Sequence, residues 1–158
     1  MRVFIVRHGE AAGAASDGER PLTDTGFTQA GAAGALLVDE MPRHILHSPK
    51  LRTTQTAQTI AAAGAGIDAK VEDSLLPPSS GAAVAAAIDR CDDGPVVLVS
   101  HLPLVAELVG WLTTGNERDY TLPGFPPAGV VALDMDHAGA GQADIAWYAF
   151  PPDYEVIG

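Results

Sequence analysis

The chain has 158 residues, of which 47% are hydrophobic, and its formal net charge is −11 at pH 7. This length predicts a single domain over residues 1–158 with a substantial core. The acidic charge argues against nucleic acid or an anionic membrane surface as the main partner. No apolar run approaches the roughly 18 residues of a transmembrane helix. Because the only cysteine is Cys91 and the N-terminus lacks a signal-peptide pattern, we expect a cytoplasmic protein without disulfides.

Short apolar runs alternate with helical patterns along the chain. The predicted elements are, in chain order, a strand near 2–7, a helix near 24–39, a strand near 43–48, a helix near 49–63, a strand near 69–71, a helix near 82–91, a strand near 96–99, a helix near 103–114, and a closing hairpin of strands near 130–136 and 143–149. Thr23 is a good N-cap for the first helix. Pro49 is expected at the first position of the second helix.

This alternation predicts an α/β fold, a three-layer α/β/α sandwich whose sheet is mostly parallel with an antiparallel edge strand. The continuous apolar run of residues 96–99 is typical of a parallel strand that is buried on both faces. The hairpin near the end of the chain supplies the antiparallel edge.

Three of the predicted strands end in polar residues that are unusual beside a core. These residues are Arg7-His8, Ser48 followed by Arg52, and Ser100-His101. Ligands of open α/β sheets bind outside the carboxyl ends of the strands, so we expect these groups to converge. The planar fork of an arginine matches phosphate oxygens, and two arginines can neutralise a phosphoryl dianion. The pattern therefore predicts a phosphate site.

Two histidines stand beside these arginines. A neutral imidazole attacks phosphorus through one nitrogen when the other nitrogen holds its proton against a fixed acceptor. His8 is the better nucleophile candidate, because it follows Arg7 at the end of the first strand and precedes the flexible Gly9. His101 is then placed to donate to the phosphoryl oxygens. This chemistry needs positioning and electrostatic stabilisation, so we expect no metal and no other cofactor.

The motifs resemble those of the histidine phosphatase superfamily, whose fold is phosphoglycerate mutase-like. The matching segments are Arg7-His8-Gly9-Glu10, Pro21-Leu22-Thr23 with Gly26, Ser48-Pro49 with Arg52, Gln55-Thr56-Ala57, and Ser100-His101. Within the superfamily, the short length and residues 16–23 and 100–105 look like the phosphohistidine phosphatases of the SixA type.

The resemblance implies a site as well as a fold. It implies that His8 becomes phosphorylated and that Arg7, Arg52 and His101 bind the phosphoryl group. It also suggests that Arg20 lies near the pocket and binds phosphate, although Arg20 could instead pair with a neighbouring carboxylate in its loop.

One departure from the wider superfamily concerns the leaving group. Many of its phosphomonoesterases and mutases carry an acidic proton donor just after the third strand, but residues 74–80 contain no carboxylate. An alkoxide needs a proton to leave, and general acid catalysis is worth roughly 100- to 10,000-fold. The imidazole of phosphohistidine leaves more readily, so we expect an N–P substrate. The acidic residues that could still swing in as donors are Glu10, Asp17, Glu19 and Asp73.

The leading hypothesis is a metal-independent phosphatase with a phosphohistidine intermediate, acting on phosphohistidine of a histidine phosphotransfer protein and releasing inorganic phosphate. The second hypothesis is a phosphomonoesterase or mutase of the same superfamily that acts on a small phosphorylated substrate. The third is a phosphate-binding interaction module that has lost turnover. It would keep the arginines and bind phosphate without releasing a product.

Overall fold

A computed structural model describes residues 1–158, and for Ala65 it describes the backbone alone. The strands are β1 (Arg2–Arg7), β2 (His44–His47), β3 (Ala69–Val71), β4 (Val96–Ser100), β5 (Val130–Met135) and β6 (Ala143–Ala149). The helices are α1 (Asp24–Leu37), α2 (Leu51–Ile60), α3 (Gly81–Asp89) and α4 (Leu104–Thr114). Shorter helical turns cover Asp17–Glu19, Val38–Glu40, Ala61–Ala65 and Asp73–Leu75.

The strands form one six-stranded sheet in the order β3-β2-β4-β1-β5-β6. The pairings of β1 with β4, of β2 with β4 and of β2 with β3 are parallel. The closing hairpin adds β5 antiparallel to β1 and β6 antiparallel to β5. The predicted mostly parallel sheet with an antiparallel edge is therefore confirmed.

Helices cover both faces of the sheet, as the three-layer prediction required. Successive residues of a strand point to opposite faces, and β1 supplies Phe4 and Val6 to one core and Val3 and Ile5 to the other. The first core includes residues of α1 and α2, and the second includes residues of α3 and α4. None of the helices in the described part of the chain is long and apolar enough to cross a membrane.

The start of α2 differs from the prediction. Pro49 was expected at the first helical position, but α2 begins at Leu51 and its N-cap is Lys50. The prediction was wrong because Lys50 is still extended, with φ −66° and ψ 148°. The helical hydrogen bonds therefore start only with the bond from the Thr54 amide to the Lys50 carbonyl, at 3.0 Å. Similarly, Pro103 is the N-cap of α4 and not its first residue.

Candidate active site

The three strand ends with polar residues lie side by side at one edge of the sheet. β4 lies between β2 and β1, and all three run in the same direction. The register pairs Arg7 with Ser100, and the amide of His8 donates to the Ser100 carbonyl at 3.0 Å. On the other side of β4, the amide of Ser48 donates to the Val99 carbonyl at 3.3 Å. The predicted convergence is thus a consequence of strand order.

His8 is buried, and the hydrogen bond of its ring selects its tautomer. Its Nδ1 lies 2.7 Å from the carbonyl oxygen of Gly9. Because a carbonyl only accepts, Nδ1 carries the proton and Nε2 keeps its lone pair. Burial lowers the pKa of His8 to about 4, and the charges of Arg52, Arg7 and Arg20 act in the same direction. The ring is therefore neutral near pH 7 with a free nitrogen lone pair, which is the state that a nucleophile requires.

His101 lies against His8, with 5.3 Å between the ring centroids. Its Nε2 is 2.5 Å from the hydroxyl oxygen of Ser48. Its Nδ1 is buried and has no hydrogen-bond partner among the residues that the structure describes. Burial, followed by the charge of Arg52, lowers the pKa of His101 to about 3. Two neutral imidazoles therefore face each other at the strand ends.

Two of the predicted phosphate-binding arginines, Arg7 and Arg52, are held by oxygen acceptors. Nη1 of Arg7 donates to the Phe125 carbonyl at 2.9 Å. Arg52 is only 7% exposed, and its Nη1 donates to the Asp17 carbonyl at 2.8 Å. The Nε atoms of both arginines are buried without a partner in the described part of the chain. Nδ1 of His101 is likewise buried without a partner among the described residues, so all three unpartnered nitrogens belong to the residues that the sequence grouped at this site.

Asp17 organises the positive charges at the rim of the pocket. Its Oδ2 lies 2.7 Å from Nζ of Lys50 and 3.3 Å from Nη2 of Arg52. Its Oδ1 lies 3.5 Å from Nη1 of Arg20. The hydrogen bond from Lys50, with further contributions from Arg52, holds the pKa of the Asp17 carboxyl well below its usual range. Asp17 is therefore an ionised group that orients cations, and it is poorly suited to donate a proton.

Arg20 lies at the rim, in a position that fits both interpretations made from the sequence. Its Nε donates to the Ala12 carbonyl at 3.0 Å, and it pairs with Asp17 in the same loop. Its positive charge nevertheless contributes to the lowered pKa of His8, so the guanidinium is close enough to act on the pocket electrostatically.

Two glycines bring α1 against the loop that follows β1. A Cβ atom on Gly9 would lie 2.7 Å from the Gly26 carbonyl oxygen, and one on Gly26 would lie 2.1 Å from the Glu10 carbonyl oxygen. The Thr23 side chain caps α1 by accepting from the Gly26 amide at 3.0 Å, as predicted. The first turn of α1 thereby holds the backbone beside His8 in place.

Several supporting groups were missed by sequence reasoning. Thr56 accepts from the Gly9 amide through its hydroxyl at 3.0 Å, and Thr53 lies 2.7 Å from the Ser48 hydroxyl. Thr56 was a usable signal, because it lies four residues after Arg52 on the same helix and stands in the matching segment Gln55-Thr56-Ala57. Lys50 directly follows the Ser48-Pro49 motif and was also a visible candidate. The Phe125 carbonyl gives no such signal, because every residue has a carbonyl.

The segment without a carboxylate after β3 is tied to the neighbouring strand. The Ser100 hydroxyl donates to the Leu75 carbonyl at 2.6 Å. Just before this segment, the carboxylate of Glu72 accepts from the amide and hydroxyl of Ser74 and pairs with Arg90 at 2.6 Å. The carboxylate of Glu72 is thus engaged by Ser74 and Arg90.

Comparison with known proteins identifies relatives of this chain. The family model of the histidine phosphatase superfamily (branch 1) matches residues 3–76. The phosphohistidine phosphatase SixA of Escherichia coli (strain K12) is 33% identical over 148 residues, which cover 89% of this chain and 89% of that protein.

Solved structures extend the similarity to nearly the whole chain. The structure of the protein histidine phosphatase SixA complexed with tungstate has a TM-score of 0.84 and 30% sequence identity, and the match covers 98% of this chain and 100% of that one. A mycobacterial glucosyl-3-phosphoglycerate phosphatase complexed with VO3 shares the fold, with a TM-score of 0.72, 21% identity and coverage of 91% and 97%. The chain therefore belongs to the histidine phosphatase superfamily and is a phosphatase, a hydrolase of phosphoric groups.

Proposed function

We propose that this phosphatase acts on phosphohistidine, carried by a histidine phosphotransfer protein, through a phosphohistidine intermediate on His8. The observation that carries the proposal is the state of Asp17, whose carboxylate is kept ionised by Lys50 and Arg52. It is a poor general acid, and residues 74–80 contain no carboxylate. The Escherichia coli relative that is 33% identical bears the name phosphohistidine phosphatase, which supports the same substrate class.

The first step of the proposed reaction uses the free Nε2 of His8. Its lone pair attacks phosphorus, a new N–P bond forms, and the N–P bond to the substrate imidazole breaks. The electron pair stays on the substrate ring, which leaves as neutral imidazole when its other nitrogen carries a proton. The Gly9 carbonyl, 2.7 Å from Nδ1 of His8, stabilises the positive charge that develops on the attacking ring.

The second step returns the enzyme to its starting state. Water attacks phosphorus, the bond between His8 and phosphorus breaks, and its electron pair returns to Nε2 as inorganic phosphate forms. In both steps Arg7 and Arg52 neutralise the phosphoryl oxygens, in line with their buried Nε atoms. Arg20 is proposed to bind the phosphoryl group from a more outward position, because it pairs with Asp17 at the rim.

The ionised state of Asp17 and the lack of a carboxylate in residues 74–80 favour an N–P bond over an ester. General acid catalysis, in which a side chain donates a proton to the leaving group, typically raises the reaction rate roughly 100- to 10,000-fold. At about 1.36 kcal/mol per factor of ten, this is about 3–5 kcal/mol of barrier that an alkoxide would have to overcome unaided. A neutral imidazole leaves without that help, so the site fits phosphohistidine better.

The proposal is tested with the full chain, a phosphotransfer protein labelled with ³²P on histidine, and a small phosphate ester. We expect fast loss of the label from the carrier, slow ester cleavage, and a labelled enzyme intermediate that disappears in His8→Ala. His137→Ala is the matched control, because His137 is exposed in the turn between β5 and β6. Fast ester cleavage without carrier hydrolysis would point to a phosphomonoesterase, and phosphate binding without turnover of either substrate would point to an interaction module.

A further inference from the structure

We infer that Thr53 and Ser48 are positioning residues that hold His101 in one tautomer, in which Nε2 carries the proton and Nδ1 is a hydrogen-bond acceptor. His101 can then donate to a phosphoryl oxygen only after Nδ1 has taken up a proton. The inference deepens the proposed function and rests on it, because it states how the second histidine of the same pocket binds the phosphoryl group.

The direction of the hydrogen bonds begins at Thr53. Its hydroxyl oxygen lies 2.9 Å from the Ser48 carbonyl and 2.9 Å from the Lys50 carbonyl. Carbonyl oxygens only accept, so the single hydroxyl proton of Thr53 points toward them. A lone pair of the same oxygen then faces the Ser48 hydroxyl at 2.7 Å. Ser48 is therefore the donor of that bond, and its only proton is used.

The next bond passes this constraint to the imidazole. The Ser48 oxygen has only lone pairs left for Nε2 of His101, 2.5 Å away, so Nε2 must carry the proton of that bond. In the opposite direction, Thr53 would donate to Ser48 and Ser48 to Nε2. The bond from Thr53 to the backbone carbonyls would then be lost, which leaves one hydrogen bond fewer. Ser48 and Thr53 are fully buried and His101 is 4% exposed, so the direction with more hydrogen bonds is favoured.

The remaining nitrogen of His101 is then an acceptor in the neutral ring. Nδ1 is buried without a partner among the described residues. The charged and titratable groups whose fields act on the ring are Arg52, His8, Lys50 and Asp17. Burial and the nearby cations lower the pKa of His101, which keeps the ring neutral at pH 7 in the free protein.

A lone pair on Nδ1 repels an unprotonated phosphoryl oxygen and attracts a P–OH group. When a phosphoryl monoanion binds, its proton moves to Nδ1, the ring becomes imidazolium, and the phosphoryl group becomes a dianion held between cations. Total charge and proton number are unchanged in this transfer. When the ligand arrives as a dianion, the same proton must come from solvent. Binding of an unprotonated dianion is therefore coupled to the uptake of one proton.

The first test reads the tautomer directly, by ¹⁵N NMR of histidine-labelled protein at neutral pH, with the His101 signals assigned by their loss in His101→Gln. We expect Nε2–H in the native chain. In Thr53→Val the Ser48 proton loses its acceptor and turns to Nε2, so we expect the ring to change to Nδ1–H. Thr53→Ser should restore the native tautomer. Thr54→Val is the matched control, because the Thr54 hydroxyl also donates to the Lys50 carbonyl, at 2.9 Å.

The second test measures protons by calorimetric titration with tungstate, a dianion at neutral pH, in two buffers of different ionisation enthalpy. Tungstate binding should take up about one proton in the native chain, in Thr53→Ser and in Thr54→Val. The affinity of these three proteins for tungstate should therefore fall about tenfold per pH unit above neutrality. Thr53→Val should bind without proton uptake. An Nδ1–H ring in the native chain, or equal proton uptake in Thr53→Val, would overturn the inference. Neither measurement involves turnover, so an error in the proposed substrate affects only the carrier assay.

Discussion

The contact between α1 and the loop after His8 predicts that alanine destabilises the protein at one glycine of this helix and stabilises it at another. Gly26→Ala adds a Cβ atom 2.1 Å from the Glu10 carbonyl oxygen, and 3.1 Å from the Glu10 amide nitrogen. Carbon and carbonyl oxygen normally approach no closer than about 3.3 Å. The loop or the helix must therefore move by about 1 Å, because the obstacle is backbone that cannot change rotamer. Gly31→Ala meets no atom within 4 Å and is the matched control.

The size of the effect follows from two opposing contributions. Overpacking costs typically about 1–3 kcal/mol, and the upper half of that range applies because backbone is displaced. Alanine recovers at most about 1 kcal/mol of helix propensity. We expect Gly26→Ala to lower the free energy of unfolding by about 1–2 kcal/mol. At about 2–4 °C per kcal/mol for a chain of this size, the melting temperature falls by about 2–8 °C. Gly31→Ala should raise it by about 1–4 °C.

Activity provides the second readout of the same pair. The displaced loop carries the Gly9 carbonyl, which orients the ring of His8. Because a misplacement of about 1 Å can cost about 100-fold, kcat of Gly26→Ala should fall by one to two orders of magnitude at a temperature where it is fully folded. Thermal denaturation and single-turnover formation of the phosphoenzyme measure the two effects. The reasoning fails if Gly26→Ala is as stable and active as the native chain, or if Gly31→Ala shows the same losses.

Two further predictions concern charge at the site. Asp17→Asn keeps the shape but weakens the hold on Arg52 and Lys50, so kcat/KM should fall about 10- to 100-fold for carrier and ester alike. A loss confined to the ester in steady-state kinetics would show instead that Asp17 donates a proton. The lowered pKa values of His8, about 4, and His101, about 3, mean that the unfolded chain binds protons that the folded chain resists. The contribution of these two histidines to the free energy of unfolding is therefore complete above about pH 6.5 and declines as the pH falls toward 4. Urea denaturation at several pH values checks this, and an unchanged midpoint of unfolding contradicts it.

Much of the fold was predictable because its signals are local. The run before Arg7 changes from apolar to charged within one residue, and residues 96–99 are uniformly apolar before Ser100-His101. Such runs define buried parallel strands, and a parallel sheet brings their carboxyl ends to one edge. Even the three-residue strand Ala69–Val71 lies where its sequence predicted it.

The sequence by itself thus identified the polar side chains at the carboxyl ends of parallel strands, because alternating strands and helices predict a parallel sheet. The strand order that makes β2, β4 and β1 neighbours came from the structure. Only the tertiary structure decided how those side chains are held and charged. Arg52 is oriented by Asp17, 35 positions away, and Arg7 by the carbonyl of Phe125, 118 positions away. Proton positions on His8 and His101 depend on such distant or backbone partners, whose distances arise only when the chain has folded.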